Sequence, residues 1–224
     1  MNIYSKLNTS QACLNLVCVL EKEGFTRVKL SLYMTTGIIL AGGCSKRART
    51  NKLLLKVDSK PLISHTIDSL KNHVDKIIVV TGHYDKELRP YLNDVEIAYN
   101  KDYELGMFSS VLTGIRLCDD EVIILPGDMT NISHKTFETL LDNKKVISIP
   151  TFKGETGHPL FLNKQMVNLL KKEDIKSNLR EFINKHIDQV NYVEVNDPFI
   201  KFDIDTIEDY TNFINKRKEL SYEG

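Results

Sequence analysis

Three short segments carry residue types able to handle phosphate and a hard cation. The first is Leu40-Ala41-Gly42-Gly43-Cys44-Ser45-Lys46-Arg47, followed by Lys52. A glycine pair directly after an apolar run lets backbone N–H groups approach an anion. Ser45 adds a hydroxyl, and Arg47 and Lys52 add fixed positive charge suited to a triphosphate. The same letters also describe a plain turn with solvated cations. The loop has neither the Gly-Lys-Ser/Thr of a Walker motif nor a Gly-x-Gly-x-x-Gly fingerprint, so P-loop kinase chemistry and NAD binding lose ground. The second segment is Val122-Ile123-Ile124-Leu125-Pro126-Gly127-Asp128-Met129. A carboxylate at the end of a buried strand can hold Mg²⁺, or Asp128 can serve a turn or a helix cap. The third is Phe202-Asp203-Ile204-Asp205-Thr206. An extended backbone sends Asp203 and Asp205 to the same side; alternatively Asp205 caps a helix beginning near Ile207.

Two further loops draw notice. Gly106-Met107-Phe108-Ser109-Ser110 opens a helix, and Gly157-His158-Pro159-Leu160-Phe161 precedes a strand. The Gly-His-Pro run reads better as a backbone turn approaching a ligand than as a catalytic histidine. Cys44 has no partner base within its motif and reads as a small loop filler.

The elements that position these loops alternate. Short β-branched runs fall at 37–41, 76–80, 95–99, 122–125 and 146–149, with helical patterns at 61–72, 85–92, 109–117 and 133–142. Pro61 suits a first helical turn, and Ser133 an N-cap. Beyond residue 150 the pattern predicts a strand at 159–162, helices at 164–172 and 179–186, a strand at 190–195, and a last helix from about Thr206 to Glu219. Near-continuous apolar strands alternating with helices predict a mainly parallel sheet covered on both faces. In such a sheet ligands bind beyond the carboxyl ends of the strands, where the three segments fall.

The 224 residues suit one α/β domain. Residues 1–33 read as an N-terminal extension, with an amphipathic stretch Ala12–Glu23 and a possible strand Arg27–Leu32; residues 34–224 read as the functional domain, Met34 being the expected start. Basic and acidic residues balance at 30 each. A phosphate-backbone binder needs a basic excess or stripe, so nucleic acid is not an expected partner. Cys13, Cys18, Cys44 and Cys118 form no Cys-x-x-Cys pair, which argues against structural zinc and for free thiols in a reducing compartment. No apolar stretch approaches the ~20 residues of a membrane span, and the run Ala12 to Leu20 lacks the flanks of a signal peptide. A cytoplasmic protein is expected.

Taken together, the motifs resemble the nucleotidyltransferases of molybdenum cofactor (molybdopterin) maturation, an NTP-transferase family, and within it most closely the cytidylyltransferases. The likeness runs from residue 37 to about 210. It rests on Leu40, Ala41, Gly42, Gly43, Ser45, Arg47 and Lys52, then Val80-Thr81-Gly82-His83, Gly106-Met107 with Ser109-Ser110, Leu125 to Met129, Gly157-His158-Pro159, and Asp203 to Thr206 with Glu208-Asp209. The resemblance implies a three-layer α/β/α Rossmann-like fold of the nucleotide-diphospho-sugar transferase type. It implies CMP transfer from CTP to the phosphate of a pterin-type acceptor, with release of pyrophosphate and a molybdenum hydroxylase as possible client. Arg47 and Lys52 would steady the phosphates and, with Asp128, carry catalysis. Asp128 and Asp205 would hold Mg²⁺, with Asp203 in support. Leu40 to Gly43, Ser45, Thr81, Gly82, Gly106, Ser109, Ser110 and Gly127 would contact the nucleotide; Gly157, His158, Pro159 and Arg180 the acceptor. Departures are Ala48-Arg49 for the usual Met-Gly, Thr130 and Ile207 for prolines, and Asn178-Leu179-Arg180 for Gly-x-Arg. Gly42 matches the guanylyl-transferring relatives, where the cytidylyl branch more often has alanine. A sugar- or alcohol-phosphate cytidylyltransferase, a non-catalytic cofactor carrier and, last, a dinucleotide-binding oxidoreductase are the competing readings.

Overall fold

The computed structural model describes residues 34–44, 51–204 and 206–222. The two elements expected within residues 1–33 lie outside these, as do Ser45, Arg47 and Asp205.

The apolar runs become strands β1 (Thr35–Ala41), β4 (Lys76–Thr81), β5 (Glu96–Tyr99), β6 (Glu121–Pro126), β7 (Ile147–Phe152), β9 (Leu160–Leu162) and β10 (Val190–Glu194). Two-residue strands β2 (Lys56–Val57) and β3 (Lys60–Pro61) form a separate hairpin, and β8 (Glu155–Thr156) pairs with β7. The main sheet has the order β10-β7-β9-β6-β1-β4-β5. Pairs β1–β4, β1–β6, β4–β5 and β7–β10 are parallel, while β9 runs antiparallel to both β6 and β7. The mainly parallel sheet expected from the apolar runs is therefore present, with one reversed strand inside it.

Helices α1 (Leu62–Lys71), α2 (Asp85–Leu88), α3 (Met107–Ile115), α4 (His134–Asp142), α5 (Lys164–Leu170), α6 (Leu179–Lys185) and α7 (Ile207–Tyr222) complete the described chain. Successive strand residues feed opposite faces. Ile39, Val79 and Ile123 pack with Ile63, Ile67 and Leu70 of α1 and Phe137 and Leu140 of α4. Ile38, Val80 and Ile124 pack with Val111 and Leu112 of α3, Met166 of α5 and Phe182 of α6. Both faces are thus dry, giving three layers. Glycine sets the closest helix–sheet approach: a Cβ on Gly114 of α3 would lie 2.7 Å from Ile38 Cγ2. A third cluster, Val57, Leu62, Phe199, Ile204 and Phe213, docks α7 against the β2–β3 hairpin, where Tyr210 Oη donates to the Lys56 carbonyl.

Several boundaries differ from the sequence pattern, each for a local reason. The helix expected over 85–92 ends at Leu88 and continues as a 3₁₀ turn, Arg89–Tyr91, because Pro90 has no N–H to extend the α ladder. Helix α3 starts at Met107 rather than Ser109, immediately after Gly106 turns the chain at φ +98°. The cap considered for Asp205 falls on Thr206: its Oγ1 accepts from Asp209 N at 3.0 Å while Asp209 Oδ2 accepts from Thr206 N at 2.8 Å, a reciprocal capping box. Pro61 precedes the first turn of α1 instead of entering it. Ser133 does cap α4, accepting from Thr136 N. Among the described residues, no helix is long and apolar enough to cross a membrane.

Candidate active site

The chain order fixes where a ligand can sit. From β1 the connections run outward through β4 to β5, then return through α3 to β6 on the other side of β1. The carboxyl ends of β1 and β6 therefore flank a topological switch point. A cavity of about 1000 Å³ opens there. Leu40 to Cys44 from the β1 loop form one wall, with Lys52 and Leu53 following them; Pro126 and Asp128 come from the end of β6. His83 comes from the β4 loop, Tyr103, Glu104 and Gly106 from the segment between β5 and α3, and Met107 and Ser110 from the first turn of α3.

The loops are pinned to one another by backbone contacts. Gly42 and Gly82 touch so closely that a Cβ on Gly82 would sit 2.5 Å from the Gly42 carbonyl oxygen. His83 N donates to that oxygen at 3.2 Å, and Tyr84 Oη donates to the Cys44 carbonyl at 3.3 Å. Gly127 N donates to the Leu40 carbonyl at 2.9 Å, and the Gly127 carbonyl accepts from Thr66 Oγ1 of α1 at 2.9 Å. One rigid frame therefore carries the glycine loop and Asp128. On the opposite wall, buried Asn100 Nδ2 donates to Ser109 Oγ at 2.8 Å and Ser110 Oγ at 3.0 Å, while Ser109 Oγ donates to the Gly106 carbonyl at 2.7 Å. Ser109 is consumed by this network beneath the surface. Ser110 faces the cavity.

The charged centre is an ion pair between Lys52 Nζ and Asp128 Oδ2 at 2.5 Å, with only 15% and 14% of the side chains exposed. Partial burial strengthens such a pair relative to one on the surface. His158 lies close enough to Asp128 to feel its charge. The peptide before Pro159 is cis, and His158 N donates to the Ile200 carbonyl at 2.6 Å. Burial holds the His158 imidazole below the usual histidine range, opposed by the charge of Asp128 and by the Ile124 backbone. Its Nδ1 is buried without a partner.

The sequence-derived candidates thus separate into groups. Leu40, Ala41, Gly42, Gly43, Lys52, Gly106, Ser110 and Asp128 line the cavity. Thr81, Gly82, Ser109 and Gly127 are buried: Thr81 Oγ1 is bound to Asp85, and Gly82 and Gly127 back the lining. Gly157, His158 and Pro159 are outside the lining. Arg180 is an exposed residue of α6, also outside it. The sequence reading did not single out His83, Tyr103 and Glu104. His83 sits in a quoted motif and stacks edge-on with Tyr84 and Tyr103, whereas Glu104 carries no motif signal. Among the described residues, no group of three or more His, Cys, Asp or Glu could hold a metal ion by itself. A cation that takes one or two carboxylates and completes its shell with phosphate oxygens and water fits Asp128.

Sheet order, layers and cavity define a Rossmann-like three-layer α/β protein of the nucleotidyltransferase type. A model of the MobA-like NTP transferase domain matches residues 37–190, and the chain belongs to that family. It is 29% identical over 129 residues to a probable molybdenum cofactor guanylyltransferase of Pyrococcus horikoshii, covering 54% of this chain and 65% of that protein. It is 28% identical over 144 residues to a bifunctional protein GlmU of Methanococcus maripaludis, covering 61% of this chain and 34% of that one. The match thus spans less than two thirds of either relative. The fold is shared with Rv0371c of Mycobacterium tuberculosis H37Rv, with TM-score 0.74 and 20% identity, covering 83% of this chain and 100% of that chain. A structure of Rv0371c in complex with manganese superposes with TM-score 0.64 and 19% identity, covering 81% of this chain and 98% of that chain.

Proposed function

We propose that this chain transfers CMP from CTP to the terminal phosphate of molybdenum cofactor, a phosphorylated pterin, and releases pyrophosphate. The observation that carries this reading is the opening of the β1 glycine loop and the Lys52–Asp128 pair into one cavity at the sheet's switch point. Glycine backbone and a cation suit a triphosphate; the carboxylate suits a divalent ion.

An oxygen of the acceptor phosphate attacks the α-phosphorus, and the bond from that phosphorus to the β-bridging oxygen breaks. The attacking group is already an anion, so no general base is needed. Catalysis rests on alignment and on neutralising charge. Backbone N–H groups of Gly42 and Gly43, with Ser45 and Arg47, hold the triphosphate, and Lys52 neutralises the leaving pyrophosphate. Gly106 and Ser110 meet the base or ribose, over a wall stiffened by Ser109, Thr81 and Gly82. Asp128 and Asp205 would hold Mg²⁺, with Asp203 in support. When bound, the ion supplies Lewis-acid charge neutralisation. Gly157, His158, Pro159 and Arg180 are assigned to the acceptor, and a molybdenum hydroxylase is the client of the product. Residues 1–33 are an extension to the catalytic domain at 34–224.

GTP is the second reading of the donor, supported by the Pyrococcus relative and by Gly42. The test is pyrophosphate release with each of the four NTPs and Mg²⁺, with and without molybdenum cofactor. Release with CTP that requires the cofactor is the expected result; a GTP preference moves the chain to the guanylyl branch. Release that requires a sugar phosphate instead would overturn the acceptor.

A further inference from the structure

Asp197 is only 3% exposed and lies outside the cavity lining. Its Oδ2 accepts from Ser133 N at 2.8 Å and from Thr136 Oγ1 at 2.7 Å, and its Oδ1 accepts from Phe199 N at 2.9 Å. All three are neutral donors, and a carboxylate is costly to bury unless its oxygens are satisfied in this way. The Phe199 bond alone caps the 3₁₀ turn Pro198–Lys201, and α4 already has its own cap in Ser133. The Oδ2 bonds therefore do something else: they join segments 61 and 64 residues apart in the chain. One of these segments is the loop that carries Asp128. It is held at its start by the bonds of Gly127 to Leu40 and Thr66, continues through buried Met129, Thr130 and Ile132, and ends at Ser133 on Asp197. The other begins at Phe199, offers the Ile200 carbonyl to His158 N at 2.6 Å, and leads into Asp203. It has its own anchor, because Phe199 and Ile204 pack with Leu62 of α1 and Phe213 of α7.

Resting on the reading of Asp128 as the cation's ligand with Asp203 in support, we propose that Asp197 is a positioning residue of the reaction centre. Its two carboxylate oxygens hold the Asp128 loop and the segment carrying Asp203 in register, and it touches neither nucleotide nor cation. Aspartate is the residue this requires, because both of its oxygens only accept, whereas an amide offers one acceptor and one donor. In Asp197→Asn the Nδ2 group must face either the Phe199 N–H or the Ser133 N–H, donor against donor, so one of the two segments is released.

On the full chain, Mn²⁺ affinity is read by electron paramagnetic resonance with CTP and no acceptor. CTP affinity is read by calorimetry without metal, and kcat with Mg²⁺ and molybdenum cofactor. Asp197→Asn should weaken Mn²⁺ about tenfold, the effect of one hydrogen bond, while metal-free CTP affinity holds. Phe182→Leu, in the core on the opposite face of the sheet from α4, is the stability control: Tm falls and Mn²⁺ affinity stays. In kcat, Asp128→Asn combined with Asp197→Asn should be no slower than Asp128→Asn alone, because the misplacement acts through Asp128. Thr136→Val removes one donor at nearly constant volume; it should weaken Mn²⁺ about threefold and carries the test if Asp197→Asn does not fold. Unchanged Mn²⁺ affinity in whichever of these two variants folds, an equal loss in Phe182→Leu, or additive losses in kcat would overturn the proposal. A wild-type chain that binds no Mn²⁺ with CTP sinks the reading of Asp128 along with it; wild-type binding with a silent Asp197→Asn sinks only this inference.

Discussion

Gly82→Ala is the substitution that most sharply tests the rigid frame behind the cavity. The new Cβ would lie 2.5 Å from the Gly42 carbonyl oxygen, 2.9 Å from Gly42 Cα and 2.8 Å from Tyr103 Cβ. Ordinary contact begins at 3.4 Å, so the nearest atom must retreat by 3.4 − 2.5, about 0.9 Å. Two of the three obstacles are backbone, and no rotamer change relieves them. The β1 loop must move away from β4, stretching the bond from His83 N to the Gly42 carbonyl. Overpacking of this kind costs about 1–3 kcal/mol, a fall in Tm of about 2–12 °C for a domain of this size. The functional loss should be larger than the stability loss, because a shift near 1 Å at a reacting centre can cost about 100-fold. The assay is CTP binding by calorimetry alongside thermal unfolding and kcat/KM. Gly43→Ala is the steric control, since a Cβ there meets nothing within 4 Å. If Gly82→Ala bound CTP as the wild type does, with unchanged Tm, the idea that the two loops are held in fixed contact would be wrong.

Asp128→Asn keeps the shape and a hydrogen-bond acceptor for Lys52 but removes the charge; turnover should fall by about 100-fold or more with the circular dichroism spectrum unchanged, and near wild-type turnover would refute the metal assignment. Lys52→Ala should weaken nucleotide binding by about 10- to 100-fold, the range of a charge-assisted hydrogen bond; an unaltered Kd and kcat would remove Lys52 from the site. His73 is held below its ordinary value of 6.5, by burial first and then by the charge of His134, against a smaller opposing effect of Glu138. The unfolded chain therefore takes up this proton more readily, so the contribution to stability is complete above pH 6.5 and is lost as pH falls from there through the lower value of the folded state. Thermal unfolding between about pH 7.5 and about pH 5 should show a shallower acid slope in His73→Gln, and parallel slopes would contradict the assignment.

The sheet was legible because its strands are dry on both faces. The run Val122 to Leu125 has no polar residue to hide, and it became a central strand. The first two strand-end segments were legible for the same reason, since glycine and aspartate directly after an apolar run fall at the carboxyl edge; the third was placed wrongly, because Phe202 to Ile204 follow a 3₁₀ turn, Pro198–Lys201, and not a strand. The two-residue strands β2, β3 and β8 were not, being too short for any periodicity. Pro90 shortened a helix that the apolar spacing alone extended. Cavity residues His83, Tyr103 and Glu104 are brought in by the backbone path from β4 through β5 to α3, which the sequence does not reveal in advance. Ser109 shows the converse case: its motif marks it as a contact, yet Asn100 and the Gly106 carbonyl occupy its hydroxyl. Neighbouring Ser110, one residue further round the helix, is the one left facing the cavity.

The central claim concerns which phosphorus of the nucleotide goes to the acceptor. Parallel reactions with CTP labelled at the α- or the γ-phosphate, Mg²⁺ and molybdenum cofactor would decide it. The account predicts α-label in the pterin product and γ-label in pyrophosphate. Label from the γ-phosphate on the acceptor, with CDP as the other product, would make this a phosphoryl-transferring enzyme and contradict the account.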